Sequence, residues 1–239
     1  MKKIILLFLV IIVSLFSNIS FSQGFTPPKS IIGLSLDGNF ATNDAHGTNF
    51  MEDTWVYGMI WGRGVSVYSK FGLGIRMKHR ITVSASYNKM INNILNSKIP
   101  FFVGLPDNGT PYTDNQIITG AVGYEYAFNP RCKSKQYIGI AVTGNYMSAA
   151  QGSYYQFDPA FRMGMQITTG YEFVLDRNYQ TGISVGLKYN LMNIFGSSNG
   201  PNNLNDGGGE GGSGYWRRIG MLSLNVGINY YLGVQPYRF

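Results

Sequence analysis

Residues 221–232 read MLSLNVGINYYL. Leu222, Leu224, Val226, Ile228, Tyr230 and Leu232 occupy one phase of a two-residue period, while Met221, Ser223, Asn225, Gly227, Asn229 and Tyr231 occupy the other. Successive side chains of an extended chain point to opposite faces, so the stretch predicts a strand with one apolar face and one face of small and polar residues. The pattern recurs upstream. Ile183, Val185, Leu187, Tyr189 and Leu191 alternate with Gly182, Ser184, Gly186, Lys188 and Asn190. Phe161, Met163, Met165, Ile167, Tyr171, Phe173 and Leu175 alternate with Arg162, Gly164, Gln166, Thr168, Gly170 and Glu172. Similar runs cover 31–40, 65–76, 81–90, 117–128 and 138–146. Eight segments of about ten residues with period two are the signature of a transmembrane β-barrel. The expected fold class is therefore all-β, an eight-stranded antiparallel barrel.

The second face separates this reading from a soluble, lipocalin-like barrel, in which it would meet water. It is dominated by Gly, Ser, Thr, Asn and Ala, and only 13% of the chain is charged, whereas soluble surfaces run to roughly a quarter or more. Small polar residues suit the interior of an eight-stranded barrel, which has room for side chains and little else. The apolar face is then expected to meet outer-membrane lipid. Past the N-terminal region no apolar run reaches about 18 residues, so no transmembrane helix is expected.

At the N-terminus, Lys2 and Lys3 precede the apolar run 4–13, and Ser20-Phe21-Ser22 supplies a small-x-small cleavage pattern. Residues 1–22 are expected to be a secretory signal peptide and 23–239 the barrel domain. An uncleaved anchor is the competing reading, because 4–16 falls only a little short of a bilayer span. The connections alternate in length: 41–62, 91–114, 147–159 and 193–215 are long, and 77–80, 129–136 and 176–180 are short. Long external loops and short periplasmic turns are the habit of outer-membrane barrels, which puts both termini in the periplasm. Aromatic girdles then fall at Trp61, Tyr87, Tyr146, Phe161 and Tyr189 on the outer rim, and at Phe128, Tyr137, Phe173 and Tyr230 on the inner one.

Inside, the alternation places Asp37, Lys70, Arg76, Glu125, Arg162, Glu172 and Lys188. Buried charges must pair, so Asp37 is expected near Lys70, and Arg76 near Glu125 or Glu172, as a polar plug. The net charge of +7 needs no nucleic-acid partner. Many bases sit in the short turns or at the termini, and no basic patch interleaved with exposed aromatics remains. One cysteine and two histidines leave little material for a metal centre or a catalytic relay, and no cofactor or metal is expected. The best catalytic candidate is His46, in Asp-Ala-His-Gly-Thr beside Asp44 and Thr48, which lacks a serine nucleophile at matching spacing. Residues 89–98, with Met90, Ile91, Ile94 and Leu95 at helix-like spacing, predict a short helix over the barrel mouth.

The signal ending in SFSQ, strands such as GISVGLKYNL and GMLSLNVGINYYL, and the terminal phenylalanine resemble the small outer-membrane β-barrel proteins of Bacteroidota, often called PorT-like or OmpA/OmpX-like. The resemblance implies an integral outer-membrane barrel and, for the PorT-like members, an accessory role in protein secretion. It further implies that Tyr237 and Phe239 are the aromatic assembly signal shown to the barrel-insertion machinery. Pro236 interrupts that strand, which calls for a bulge or strand end near Gly233. Small outer-membrane lipid A acylhydrolases and acyltransferases use a histidine with a hydroxyl and a carboxylate near the outer rim, and this is the alternative that His46 keeps open. The leading expectation is a non-enzymatic barrel with a plugged lumen. Its outer loops would serve adhesion, surface stabilisation or docking of an extracellular protein or glycan.

Overall fold

A computed structural model describes residues 26–45, 59–91, 113–151, 155–156, 158–176, 178–195 and 218–234. The strands are β1 (Ser30–Asn43), β2 (Trp61–Leu73), β3 (His79–Ile91), β4 (Thr113–Ala127), β5 (Ser134–Gln151), the two-residue β6 (Tyr155–Gln156), β7 (Ala160–Val174), β8 (Thr181–Phe195) and β9 (Ile219–Leu232). β1, β2, β3, β4, β5, β7, β8 and β9 pair antiparallel with their chain neighbours. β9 returns to β1 along the register Ser30↔Leu232 to Asn43↔Ile219, which closes the sheet into an eight-stranded barrel. Closure removes the open edges that a sheet would otherwise present.

The short connections 74–78, 128–133 and 175–180 lie at one end of the barrel with the start of β1 and the end of β9. This is called the turn end here, and the opposite end, where the strands run into the long connections, the loop end. Asp44 Oδ2 accepts a hydrogen bond from the Arg218 backbone N–H at 2.6 Å and so ties the bases of two long connections together.

Burial is the reverse of that in a water-soluble protein. Leu36 is 69% exposed and Ile228 67%, whereas Arg80, Lys135, Arg162 and Glu172 are at 1% or less. Apolar residues cover the outer wall strand after strand, a surface that water does not tolerate and hydrocarbon does.

Strand ends depart from the sequence reading in several places, among them the far end of β5, which runs to Gln151 and takes the first residues of the expected 147–159 connection into the wall. β2 stops at Leu73, because Gly74 turns the chain with φ of 73°. Ile75 and Arg76 therefore lie in a turn, not on a lumen-facing strand. β5 begins at Ser134, which brings Lys135 onto the wall. β3 continues to Ile91 with Met90 pointing inward, so Met90 and Ile91 belong to a strand and not to a helix, and 92–98 lie outside the described residues. β9 ends at Leu232 and Gly233 adopts φ of 74°, while Tyr237 and Phe239 lie outside the described residues, as do 1–25 and His46.

Candidate functional site

The described chemistry-bearing residues gather in the lumen, which is layered along its axis. At the loop end Met59, Met90, Met147, Met192 and Met221 pack with Ala41, Ala45, Ile117, Ala149 and Ile219 into an apolar layer. Below it an amide and hydroxyl network crosses the lumen. Asn39 donates to Asn88 at 2.8 Å, and Thr119 and Asn190 donate to Asn145 Oδ1 at 2.9 and 3.0 Å. Asn145 in turn donates to the Met192 carbonyl at 3.0 Å. The bonds of Asn145 with Asn190 and Met192 join β5 to β8, which share no backbone ladder.

Mid-lumen, Lys188 Nζ lies 3.3 Å from Asp37 Oδ2 and 3.2 Å from Ser66 Oγ. Ser35 and Ser66 both donate to the same carboxylate. A polar cavity of about 70 Å³ opens here, lined in part by Lys70, Glu125, Lys188, Tyr68 and Gln166.

Toward the turn end lies a four-membered charge cluster. Lys70 Nζ is 2.7 Å from both Glu125 Oε2 and Glu172 Oε1, and Arg80 Nη1 is 2.9 Å from Glu125 Oε1 and 3.1 Å from Glu172 Oε1. Each carboxylate thus bridges both cations. Four strands supply the members, β2, β3, β4 and β7, so the cluster pins the walls to one another across the lumen. Lys135 stands directly opposite Glu172 in the β5–β7 register, with its Nζ 4.4 Å from the centre of the Tyr231 ring. Ile31, Val174 and Tyr231 close the end beneath.

Alternation identified Asp37, Lys70, Glu125, Arg162, Glu172 and Lys188 as inward, and all six point into the lumen. Two of the expected pairings differ. Asp37 does not meet Lys70, because Lys70 is opposite Ile31 on β1, six residues from Asp37 and about 20 Å away along the strand at 3.3 Å per residue. Asp37 pairs with Lys188 instead. Arg76 is exposed in the 74–78 turn, and its expected place beside the glutamates is taken by Arg80, directly opposite Glu125 in the β3–β4 register. Arg80 and Lys135, assigned to turns by the sequence reading, thus bring the inward charges among the described residues to five cations against three carboxylates. Both share the phase of their strand's lumen face, and that was the signal available for them.

Of the expected girdle residues, Tyr87, Tyr146, Phe161, Phe128, Phe173 and Tyr230 are exposed on the outer wall. Tyr189 also points outward, its hydroxyl accepting from Asn43 Nδ2 at 2.9 Å, and Trp61 lies under the Arg63 guanidinium at 5.0 Å. Tyr137 is the exception. It points inward at 7% exposure, with Lys70 Nζ 3.9 Å from its ring centre.

Among solved structures the chain is similar to Neisserial surface protein A, with 12% identity, a TM-score of 0.53, and coverage of 87% of this chain and 99% of that one. The fold is that of a small outer-membrane barrel. OprG from Pseudomonas aeruginosa (12% identity, TM-score 0.46, 87% of this chain and 99% of that one) and Ail of Yersinia pestis (8%, 0.45, 87% and 100%) overlap less closely. No protein-family profile and no curated protein sequence matches the chain.

A barrel of this size has little interior volume, and glycine is how this chain fits three tyrosines inside. The Tyr68 ring lies on Gly33, the Tyr137 hydroxyl sits where side chains at both Gly170 and Gly186 would project, and Tyr231 covers Gly182. A β-carbon at Gly186 would come within 2.6 Å of the Tyr137 oxygen. The inward tyrosines and the backbone opposite them therefore specify each other.

Proposed function

We propose that the protein is an integral outer-membrane barrel that acts as a sealed scaffold, with its long connections outside the cell and both termini in the periplasm. The observation that carries this reading is the contrast between wall and lumen. The wall is apolar, while the lumen is crossed at successive levels by the methionine layer, the amide network and the Lys70–Glu125–Arg80–Glu172 cluster, which leave between them a cavity of only about 70 Å³. With the wall committed to lipid and the lumen to packing, the long connections 44–60, 92–112 and 196–218 are the segments left for recognition, the usual role of long loops on a rigid frame. The reading is a non-enzymatic one, in which the loops engage an extracellular protein or glycan.

Three measurements test it. In planar bilayers the purified protein should give no sustained conductance in the nanosiemens range, and a stable pore from a monomer would overturn the sealed lumen. Shortening 197–214 to a tight turn should leave the boiled and unboiled gel positions distinct while reducing cell-surface binding. A shortened chain that fails to insert would make the loop structural. In a deletion strain, lipid A and the set of secreted proteins should be unchanged. Altered lipid A acylation would favour an enzyme using His46, and lost secretion would favour the PorT-like role.

A further inference from the structure

The turn end carries a second site, on the outside of the barrel. Because β3 and β4 are neighbours, the 74–78 and 128–133 connections lie side by side, and the Ala127 N–H donates to the Lys78 carbonyl at 2.7 Å to hold them there. The 128–133 connection is itself braced by the Cys132 N–H bonding the Asn129 carbonyl at 3.1 Å. Between the two turns is a cleft of about 210 Å³, lined by Arg76, Lys78, Phe128, Asn129 and Arg131 among others. Every charged residue that lines it is a cation.

Its surroundings are those of a lipid boundary. On the outer wall just beside the cleft, Tyr126 meets Phe128 edge-on at 5.1 Å and His79 at 5.5 Å, and Lys78 Nζ leans over the Tyr126 ring at 6.0 Å. Aromatic rings with a polar edge collect where acyl chains give way to headgroups. Ile75, next to Arg76, is 91% exposed in the turn, an apolar side chain placed to enter the same boundary.

We infer that this cleft binds the phosphate of an anionic phospholipid in the leaflet at the turn end. Arg76, Lys78 and Arg131 supply donors from two turns to one phosphodiester, and Ile75 and Phe128 meet the first carbons of the acyl chains. A phospholipid fits the position better than a free phosphate because Phe128, whose ring packs on the outer-wall Tyr126, lines the cleft beside the cations. An anionic headgroup fits better than a zwitterionic one because, among the described residues, no carboxylate lines the cleft to receive a choline. Single exposed cations contribute little to binding, but three around one diester in a membrane act together.

The inference rests on the membrane-barrel reading, so its test reports insertion and lipid binding separately. Protein in zwitterionic detergent would be titrated with phosphatidylglycerol, phosphatidylcholine or inorganic phosphate, with bound lipid counted by native mass spectrometry. Wild type should retain one phosphatidylglycerol in preference to phosphatidylcholine. The triple variant R76Q/K78Q/R131Q should weaken that binding by roughly a hundredfold while still shifting on unboiled gels. Lys133→Gln, which removes a neighbouring exposed cation that does not line the cleft, should bind as wild type does. Equal retention by the triple variant, equal weakening by Lys133→Gln, or full competition by millimolar inorganic phosphate would each overturn the site. Loss of the gel shift in wild type would instead overturn the membrane reading.

Discussion

Glu172→Gln should lower the unfolding free energy by about 3–5 kcal/mol. Glutamine keeps the shape of the side chain, so no cavity forms and the change is one of charge. Glu172 is fully buried, takes Lys70 at 2.7 Å and Arg80 at 3.1 Å, and faces Lys135 across the β5–β7 register. Without its charge, Lys70 and Arg80 would share Glu125 alone, away from water. The Lys89–Asp114 pair, whose side chains are 25% and 15% exposed, is the internal control, because breaking a pair at the rim should cost about 1 kcal/mol or less. A second variant, Lys70→Met with Glu172→Gln, leaves Arg80 matched to Glu125 and should recover most of the loss. Urea titrations of the protein in vesicles, read by the fraction that migrates as folded on unboiled gels, measure all three. A Glu172→Gln midpoint equal to that of wild type would remove the cluster's role in holding the lumen closed.

Leu36→Arg should cost about 2–4 kcal/mol in a bilayer. Leu36 is 69% exposed at the middle of β1, between Val65 and Val226 on the neighbouring strands. In a water-soluble protein an exposed leucine exchanges for arginine within about 0.5 kcal/mol, so the two solvents predict outcomes that the same titration resolves. Ile75→Arg, at a position still more exposed but in a turn, should cost less than about 1 kcal/mol, as charges near the interface do. Equal tolerance at both positions would mean that the wall does not face hydrocarbon.

What the alternation carried was phase. A two-residue period assigns each side chain to one face, and that sufficed to put Asp37, Lys70, Glu125, Arg162, Glu172 and Lys188 inside. Strand ends were harder to read, because they depend on where a turn begins. Ile75 and Arg76 continue the pattern of β2 without a break, and only the φ of Gly74 removes them from the wall. Conversely, Lys135 and Tyr137 share the phase of Gly139 and Ala141, but 129–136 read as one turn, which hid Lys135, and Tyr137 at its edge read as a girdle ring. Pairing was less legible still. Which cation meets which carboxylate is set by the stagger between strands, and alternation within one strand carries nothing about stagger. Lys70 and Asp37 share a lumen but not a level.

The seam between β1 and β9 has a consequence for the order of events during assembly. Each hairpin of the wall joins strands close in sequence, but Ser30 finds Leu232 only after every other strand has been made. Such a non-local contact is slow to form, since its loop-closure entropy must be met before any pairing repays it. Until then every intermediate is an open sheet with two unpaired edges and an apolar surface, a template for another copy of the same chain. Delivery in an unpaired state, with release only where the two terminal strands can meet, is thus a demand of the topology itself. Weakening the seam should give aggregated chains rather than smaller barrels.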